Sequence, residues 1–243
     1  MNILITWASG DSFCNSSEFQ FFVLTSRIVD ADKVVFTHDM PVETEGWLKS
    51  EGFSIVRVPD SQVEYPIADR HLHYWRYLLN YPDATVLHTD ARDVFFQRDP
   101  FALYDKLWPG KLVLIDEGMP PSSNGFHLIE QFEFQKPLSE KFQRDCRQHV
   151  VNGGTLIGPS REFARHVFNI WSVSLLGSKD CTDQAALNYL LNYFQEDPLY
   201  VITVPDDNFC VTGEAVKDGY TKLEIRGNEI FIEGKDEPFC IFH

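Results

Sequence analysis

Short apolar runs rich in β-branched residues alternate with amphipathic stretches along most of this chain. Runs of the first kind, bounded by turn residues, predict buried strands. Apolar positions recurring at three- and four-residue offsets predict helices. Strands are predicted at Asn2–Thr6, Lys33–Thr37, Ser54–Val58, Thr85–His88, Lys111–Ile115, Thr155–Gly158, Tyr200–Val204, Ile230–Ile232 and Phe239–Phe242. Helices are predicted at Ser16–Val29, Val42–Glu51, Ala68–Tyr81, Ser139–Gln148, Ser160–Leu176 and Thr182–Phe194. Alternation of the two over the first half implies a parallel, Rossmann-like α/β sheet with right-handed crossovers. The regularity stops after Asp116, where residues 117–125 form a turn-rich stretch suited to a lid or acceptor loop. No repeat, low-complexity tract or Gly/Ser linker divides the chain, so one domain is expected.

Composition narrows the classes of function. With 243 residues, 44% of them apolar and 20 of them Phe, the chain can bury a sizeable core and is not disordered in bulk. Its formal charge of −15, from 36 acidic and 21 basic residues, repels nucleic acid and anionic membrane. An acidic protein that binds a diphosphate needs a cation and a few well-placed arginines. No apolar run reaches the length of a membrane span, and Met1 leads directly into a strand without a basic leader. A cytoplasmic location, or excision from a longer multidomain chain, is the expectation. Cys14, Cys146, Cys181, Cys210 and Cys240 are scattered without C-x-x-C spacing, which suits reduced, buried thiols and offers no zinc site.

The sharpest chemistry lies in Val86–Phe101. A β-branched run enters Asp90-Ala91-Arg92-Asp93, then the aromatic pair Phe95-Phe96 and an Asp99-Pro100 turn. A buried strand that delivers carboxylates at its C-terminal end places them where open α/β sheets bind ligands. Hard divalent ions such as Mn²⁺ and Mg²⁺ choose carboxylate oxygens. This D-x-R-D-V-x-F segment followed by D-P-F resembles the acidic metal motif of GT-A glycosyltransferases, in a subset seen in bacterial, plant and algal-virus enzymes. The common pattern is Asp-x-Asp, and here Arg92 stands where the second acid usually falls. Asp93 is then the direct metal ligand, with Asp90 beside the ribose or the metal. The spacing leaves open which of the two touches the ion, and both acids could instead cap the next turn.

The resemblance spans the chain and implies a GT-A fold: a nucleotide-binding half over about 1–100, an acceptor and metal half over about 101–243, and a mixed central sheet flanked by helices. It implies Mn²⁺ (or Mg²⁺), a nucleoside-diphosphate sugar as donor and a carbohydrate or other hydroxyl acceptor. Thr6, Ala8 and Ser9 would hold base and ribose, although a plain strand-to-helix turn capped by Ser12 or Ser16 explains them equally. Ala91 and Arg92 would lie against the nucleotide. Arg70, on one helix face with Tyr74 and Tyr77, would grip the diphosphate, with solvated Arg70 as the alternative. Asn152 and Gly153 would sit under the donor sugar. Asp183 is the first choice for the base that takes the acceptor proton, with Asp116 and Glu117 behind it; a helix-start acid is the plain alternative. His243 would complete the metal shell, and related sequences continue past this histidine.

The implied activity is transfer of a hexose or deoxyhexose from a UDP-type donor, with inversion. Two other readings compete. A haloacid-dehalogenase-type phosphatase also places a nucleophilic Asp after an apolar strand, and Asp206-Asp207 mimics its late acidic pair. A non-catalytic sugar- or nucleotide-binding module would keep the fold without a base. Trp108, Phe126 and His127 could stack on sugar faces or simply pack in the core.

Overall fold

Ile3, Leu4 and Ile5 are all fully buried in strand β1 (Asn2–Trp7), so both faces of this strand are covered. That is the habit of a parallel strand sandwiched between helices, each such side chain contributing about 2 kcal/mol of burial. The computed structural model describes residues 1–59, 66–117, 150–175, 183–194, 197–204 and 207–243. After β1 come α1 (Asp11–Cys14), α2 (Ser17–Thr25), β2 (Asp32–Thr37), α3 (Val42–Ser50), β3 (Phe53–Arg57), α4 (Pro66–Leu78) and β4 (Thr85–Thr89). Then follow β5 (Phe95–Phe96), α5 (Pro100–Leu107), β6 (Leu112–Asp116), β7 (Val151–Pro159), α6 (Ser160–Ser174) and α7 (Asp183–Phe194). The remaining elements are β8 (Tyr200–Thr203), β9 (Cys210–Val211), α8 (Gly213–Lys217), β10 (Leu223–Arg226), β11 (Glu229–Ile232) and β12 (Ile241–Phe242).

The central sheet has seven strands in the order β3-β2-β1-β4-β7-β6-β8. All run one way except β7, which is antiparallel to both β4 and β6. Side chains alternate between two apolar layers, as a period of two requires. Leu4, Val35, Leu87 and Val113 pack with Phe19 and Phe22 of α2 and Tyr104 of α5. Ile3, Ile5, Val86 and Leu114 pack with Tyr74 of α4, Phe163 of α6 and Ala186 of α7. The expected mixed α/β sheet flanked by helices is therefore present.

Several boundaries differ from the sequence reading for identifiable reasons. Asn152-Gly153-Gly154 belongs to β7 itself, four residues earlier than expected, because backbone freedom here serves a close approach and not a turn. Asp99-Pro100 is the start of α5: the Asp99 carboxylate accepts from Phe101 N at 3.2 Å and Pro100 takes the first helical position. Ser16 is the cap of α2, accepting from Phe19 N at 3.1 Å. The predicted helix at 139–148 and the turn-rich stretch from 118 onward lie outside the described residues, as do Phe126, His127, Cys146, Cys181 and Thr182. Cys14, Cys210 and Cys240 are buried free thiols. No helix among the described residues is long and apolar enough to cross a membrane.

The chain moves outward from β1 through β2 and β3, then returns to β4 on β1's other side. This reversal opens a crevice at the carboxyl ends of β1 and β4. Reversed β7 starts where β4 ends: Thr89 pairs with Thr155, and Asp90 N donates to Gly154 O at 2.7 Å. β6 also ends here, with Asp116 beside Val151. A second sheet, β5-β12-β9, closes the same end. Phe242 pairs antiparallel with Phe95, their rings stacked at 5.1 Å, so the next residue, His243, comes back alongside Asp93.

Candidate functional site

The ends of β4, β6, β9 and β12 and the start of β7 surround a cleft of about 380 Å³ lined by Arg70, Asp90, Asp93, Asn152, Asp183 and His243 among others. Asp90, Asp93 and His243 hold ligand atoms within 4.8 Å of one another. His243 Nε2 stands 3.7 Å from Asp90 Oδ2 and 3.9 Å from Asp93 Oδ1. Neighbouring ligands on an ion with bonds of about 2.1 Å stand about 3 Å apart and opposite ones about 4.2 Å. The gaps fall between those limits and are too wide for direct hydrogen bonds. Two carboxylates with one imidazole suit Mn²⁺ or a similar borderline-hard ion. His243 Nδ1 lies 2.8 Å from Thr155 Oγ1. With the ring proton on Nδ1 donated to that hydroxyl, Nε2 presents its lone pair to the carboxylates.

Gly154 forms the floor of this cluster. A Cβ added there would stand 2.7 Å from Asp90 Cγ and closer still to His243 Cε1 and Asp90 Oδ2. The sequence signal was present, since a glycine inside a strand marks close approach of another group. A Cβ on Gly153 would instead meet Cβ of Gln184 at 2.9 Å, so this glycine makes room for α7.

Behind the cluster sits a buried ionic clamp. Arg70 Nε donates to Asp183 Oδ2 at 2.9 Å, its NH2 group donates to the same oxygen, and its NH1 donates to Asp90 Oδ1 at 2.6 Å. His71 Nε2 lies 2.9 Å from Asp183 Oδ2, and Asp183 Oδ1 accepts from Gln184 N at 2.9 Å. Burial opposes ionisation of both Asp183 and Asp90, yet the Arg70 guanidinium outweighs it and lowers both carboxyls, Asp183 far below the carboxylate range. Burial lowers His71, which stays neutral and donates to Asp183 through Nε2–H.

Glu117 occupies the facing wall. Its Oε1 accepts from Asn152 Nδ2 at 3.0 Å and from Gln184 Nε2 at 2.9 Å. Burial raises its carboxyl, against the lowering effect of those hydrogen bonds. The Asn152 side-chain oxygen accepts from Gly154 N at 2.7 Å, so Asn152 ties the Glu117 wall to the floor of the metal cluster. Thr212 Oγ1 donates to Glu117 O at 2.7 Å, fixing the main chain on which this carboxylate sits.

The residues expected at the site divide into two groups. Asp90, Asp93, His243, Arg70, Asp183, Asn152 and Gly153 line one cleft. Asp116 is buried in β6 and is not among the lining residues, whereas Glu117 is. Thr6 is buried and donates to Thr89 O at 2.7 Å, and Ala8 and Ala91 are core residues. Ser9 Oγ contacts Thr37 Oγ1 at 3.2 Å and accepts from His38 N. Arg92 is exposed, outside the lining. Trp108 packs against the Phe209 ring at 5.5 Å. Of the late acidic pair, Asp206 lies outside the described residues, and Asp207 accepts from Val204 N at 3.1 Å in a local turn. Sequence reasoning missed His71 and Thr155, whose roles depend on partners far along the chain. Neither a scan against protein-family models nor a search of curated proteins finds a match to this chain.

Proposed function

We propose that this protein is a metal-dependent glycosyltransferase of the GT-A type, moving a hexose or deoxyhexose from a nucleoside diphosphate, best read as UDP, to a hydroxyl acceptor. The observation that carries this reading is the Asp90–Asp93–His243 cluster over Gly154 at the switch point of a mixed α/β sheet. Asp90, Asp93 and His243 would hold a divalent ion, which would supply positive charge against that building on a departing diphosphate. Thr155 holds the His243 tautomer, Asn152 bridges the floor and the Glu117 wall, and Glu117 receives the acceptor proton. Glu117 suits that task better than Asp183: burial raises its proton affinity, whereas the guanidinium beside Asp183 depresses it. Asp207 serves a turn, which weakens the phosphatase alternative.

Thermal unfolding against UDP, GDP, CMP, UDP-glucose, GDP-mannose and dTDP-glucose, with and without Mn²⁺, tests the assignment. A ligand that binds only the native state raises the melting temperature. One nucleotide family is expected to do so, and only with Mn²⁺. Asp93, with 58% of its side chain exposed, can be changed without disturbing the core. Asp93→Ala should melt like the wild type and lose the Mn²⁺-dependent shift; an undiminished shift would sink the metal assignment.

Glu117→Gln keeps the size of the side chain and one hydrogen-bonding oxygen but removes the base. Turnover should fall by about 10²–10⁴-fold, with Mn²⁺-dependent nucleotide affinity kept within about threefold. Equal turnover in the two proteins would return the base role to another carboxylate.

A further inference from the structure

Arg70 pairs directly with Asp90 of the metal cluster, and the obvious task for a fork-shaped cation beside a diphosphate site is to grip phosphate. Its hydrogen bonds point elsewhere. Nε and NH2 are directed at Asp183 Oδ2, NH1 is directed at Asp90 Oδ1, and only 12% of the side chain is exposed. Asp90 is thereby divided between two partners. Oδ1 is held by Arg70, while Oδ2 faces His243 Nε2 and the space above Gly154.

We propose that Arg70 is a positioning residue that fixes which oxygen Asp90 offers to the metal, and that it does not bind the donor diphosphate. The proposal rests on the metal-site reading above. Charge supports it. A lone guanidinium this close would repel a cation, but Asp183 neutralises it from the far side, with His71 neutral beside them. One guanidinium against the carboxylates of Asp183, Asp90 and Asp93 leaves two negative charges for a divalent ion. Topology supports it too, since the clamp joins α4, the end of β4 and the start of α7, three segments that also share one apolar layer. Partners of this outer kind orient a ligand, and their loss typically weakens metal binding by about 10–100-fold.

The experiment titrates the full chain with Mn²⁺ alone, following free Mn²⁺ by electron paramagnetic resonance, and then measures UDP affinity at saturating Mn²⁺. The proteins are wild type, Arg70→Lys, Arg70→Met and the double variant Arg70→Met/Asp183→Asn, which removes the clamp without leaving Asp183 as a buried carboxylate facing no guanidinium. Cobalt-loaded samples give a second readout, because freeing Oδ1 lets Asp90 coordinate differently and shifts the Co²⁺ absorption bands even at full loading. A purely structural role changes how much metal binds and leaves the bands in place. The expected result is about 10–100-fold weaker Mn²⁺ binding in every variant, shifted Co²⁺ bands, and UDP affinity at saturating Mn²⁺ within about threefold of wild type. Unchanged Mn²⁺ affinity with much weaker UDP binding would overturn the proposal and make Arg70 a phosphate ligand. Weaker Mn²⁺ binding with unmoved bands would also overturn it, in favour of a structural role. Failure of the wild type to bind Mn²⁺ would overturn the metal-site reading itself, an outcome separate from the other two.

Discussion

Gly154→Ala should abolish measurable Mn²⁺-dependent nucleotide binding, a loss of about 100-fold or more, while the protein still folds. The new methyl group would enter the space between Asp90 and His243, and neither can retreat. Asp90 is pinned through Oδ1 to Arg70 and through its backbone N–H to Gly154 O. His243 is pinned through Nδ1 to Thr155 and through its backbone N–H to Val211 O. Overpacking of this kind costs about 1–3 kcal/mol of stability, less than a typical domain possesses. Gly153→Ala is the control one residue away. Its methyl group presses on Gln184 at the start of α7, so it should impair turnover through Glu117 while leaving the Mn²⁺ affinity near wild type. Equal Mn²⁺ affinity in Gly154→Ala and wild type would show that the ion does not sit over this strand.

Acid should unfold this protein unusually steeply. His88 and His166 are fully buried, and burial pushes both down to about 3. In the unfolded chain each returns to about 6.5. Between those values the unfolded state binds protons that the folded state refuses, so stability falls as pH falls. The fully developed slope is about 1.4 kcal/mol per pH unit for each histidine, or about 2.7 for the pair. From pH 5.5 to 4 that amounts to about 4 kcal/mol, a large share of a typical domain's stability. His71, also lowered by burial, acts in the same direction. Glu117, raised by burial, takes up its proton early in the folded state and offsets part of the slope at the acid end. The lowered carboxyls of Asp90 and Asp183 are stabilising above the ordinary carboxylate range and lose that contribution only below it, as pH falls toward their folded values. Urea midpoints measured from pH 7.5 to 4.5 provide the check. A flat profile, or the same slope in a His88→Leu/His166→Phe variant, would remove the histidines from the account.

Much of the central sheet can be read from the chain because its strands are short apolar runs buried on both faces, as Ile3–Ile5 and Val86–Leu87 show. The elements that complete the site are harder to see. β5, β9 and β12 each span only two residues, too few to carry a period, yet their register returns His243 to Asp93. Asn152–Gly154 has turn composition and strand geometry, since the glycines make room for neighbouring side chains. Arg70 shows the deeper limit. Its chemistry suggests phosphate, but its partner Asp183 lies 113 positions away, and packing of α4 against α6 and of α6 against α7 brings them together. The preference of Glu117 over Asp116 has the same origin, because it depends on which side chain turns into the cleft where β6 ends.

The reversed strand also sets the order in which the molecule can be built. β7 lies between β4 and β6 in the sheet, yet it follows both in the chain. During synthesis β3, β2, β1 and β4 can pair as soon as residue 89 has emerged, whereas β6 has no place beside them until residues 151–159 arrive. Until then the inner edge of β4 stands open, with backbone groups that any other strand could occupy. Insertion of β7 closes that edge and places Gly154 beside Asp90 in the same step. The cleft therefore exists only when β7 is in the sheet and the final strand has brought His243 back beside Asp93.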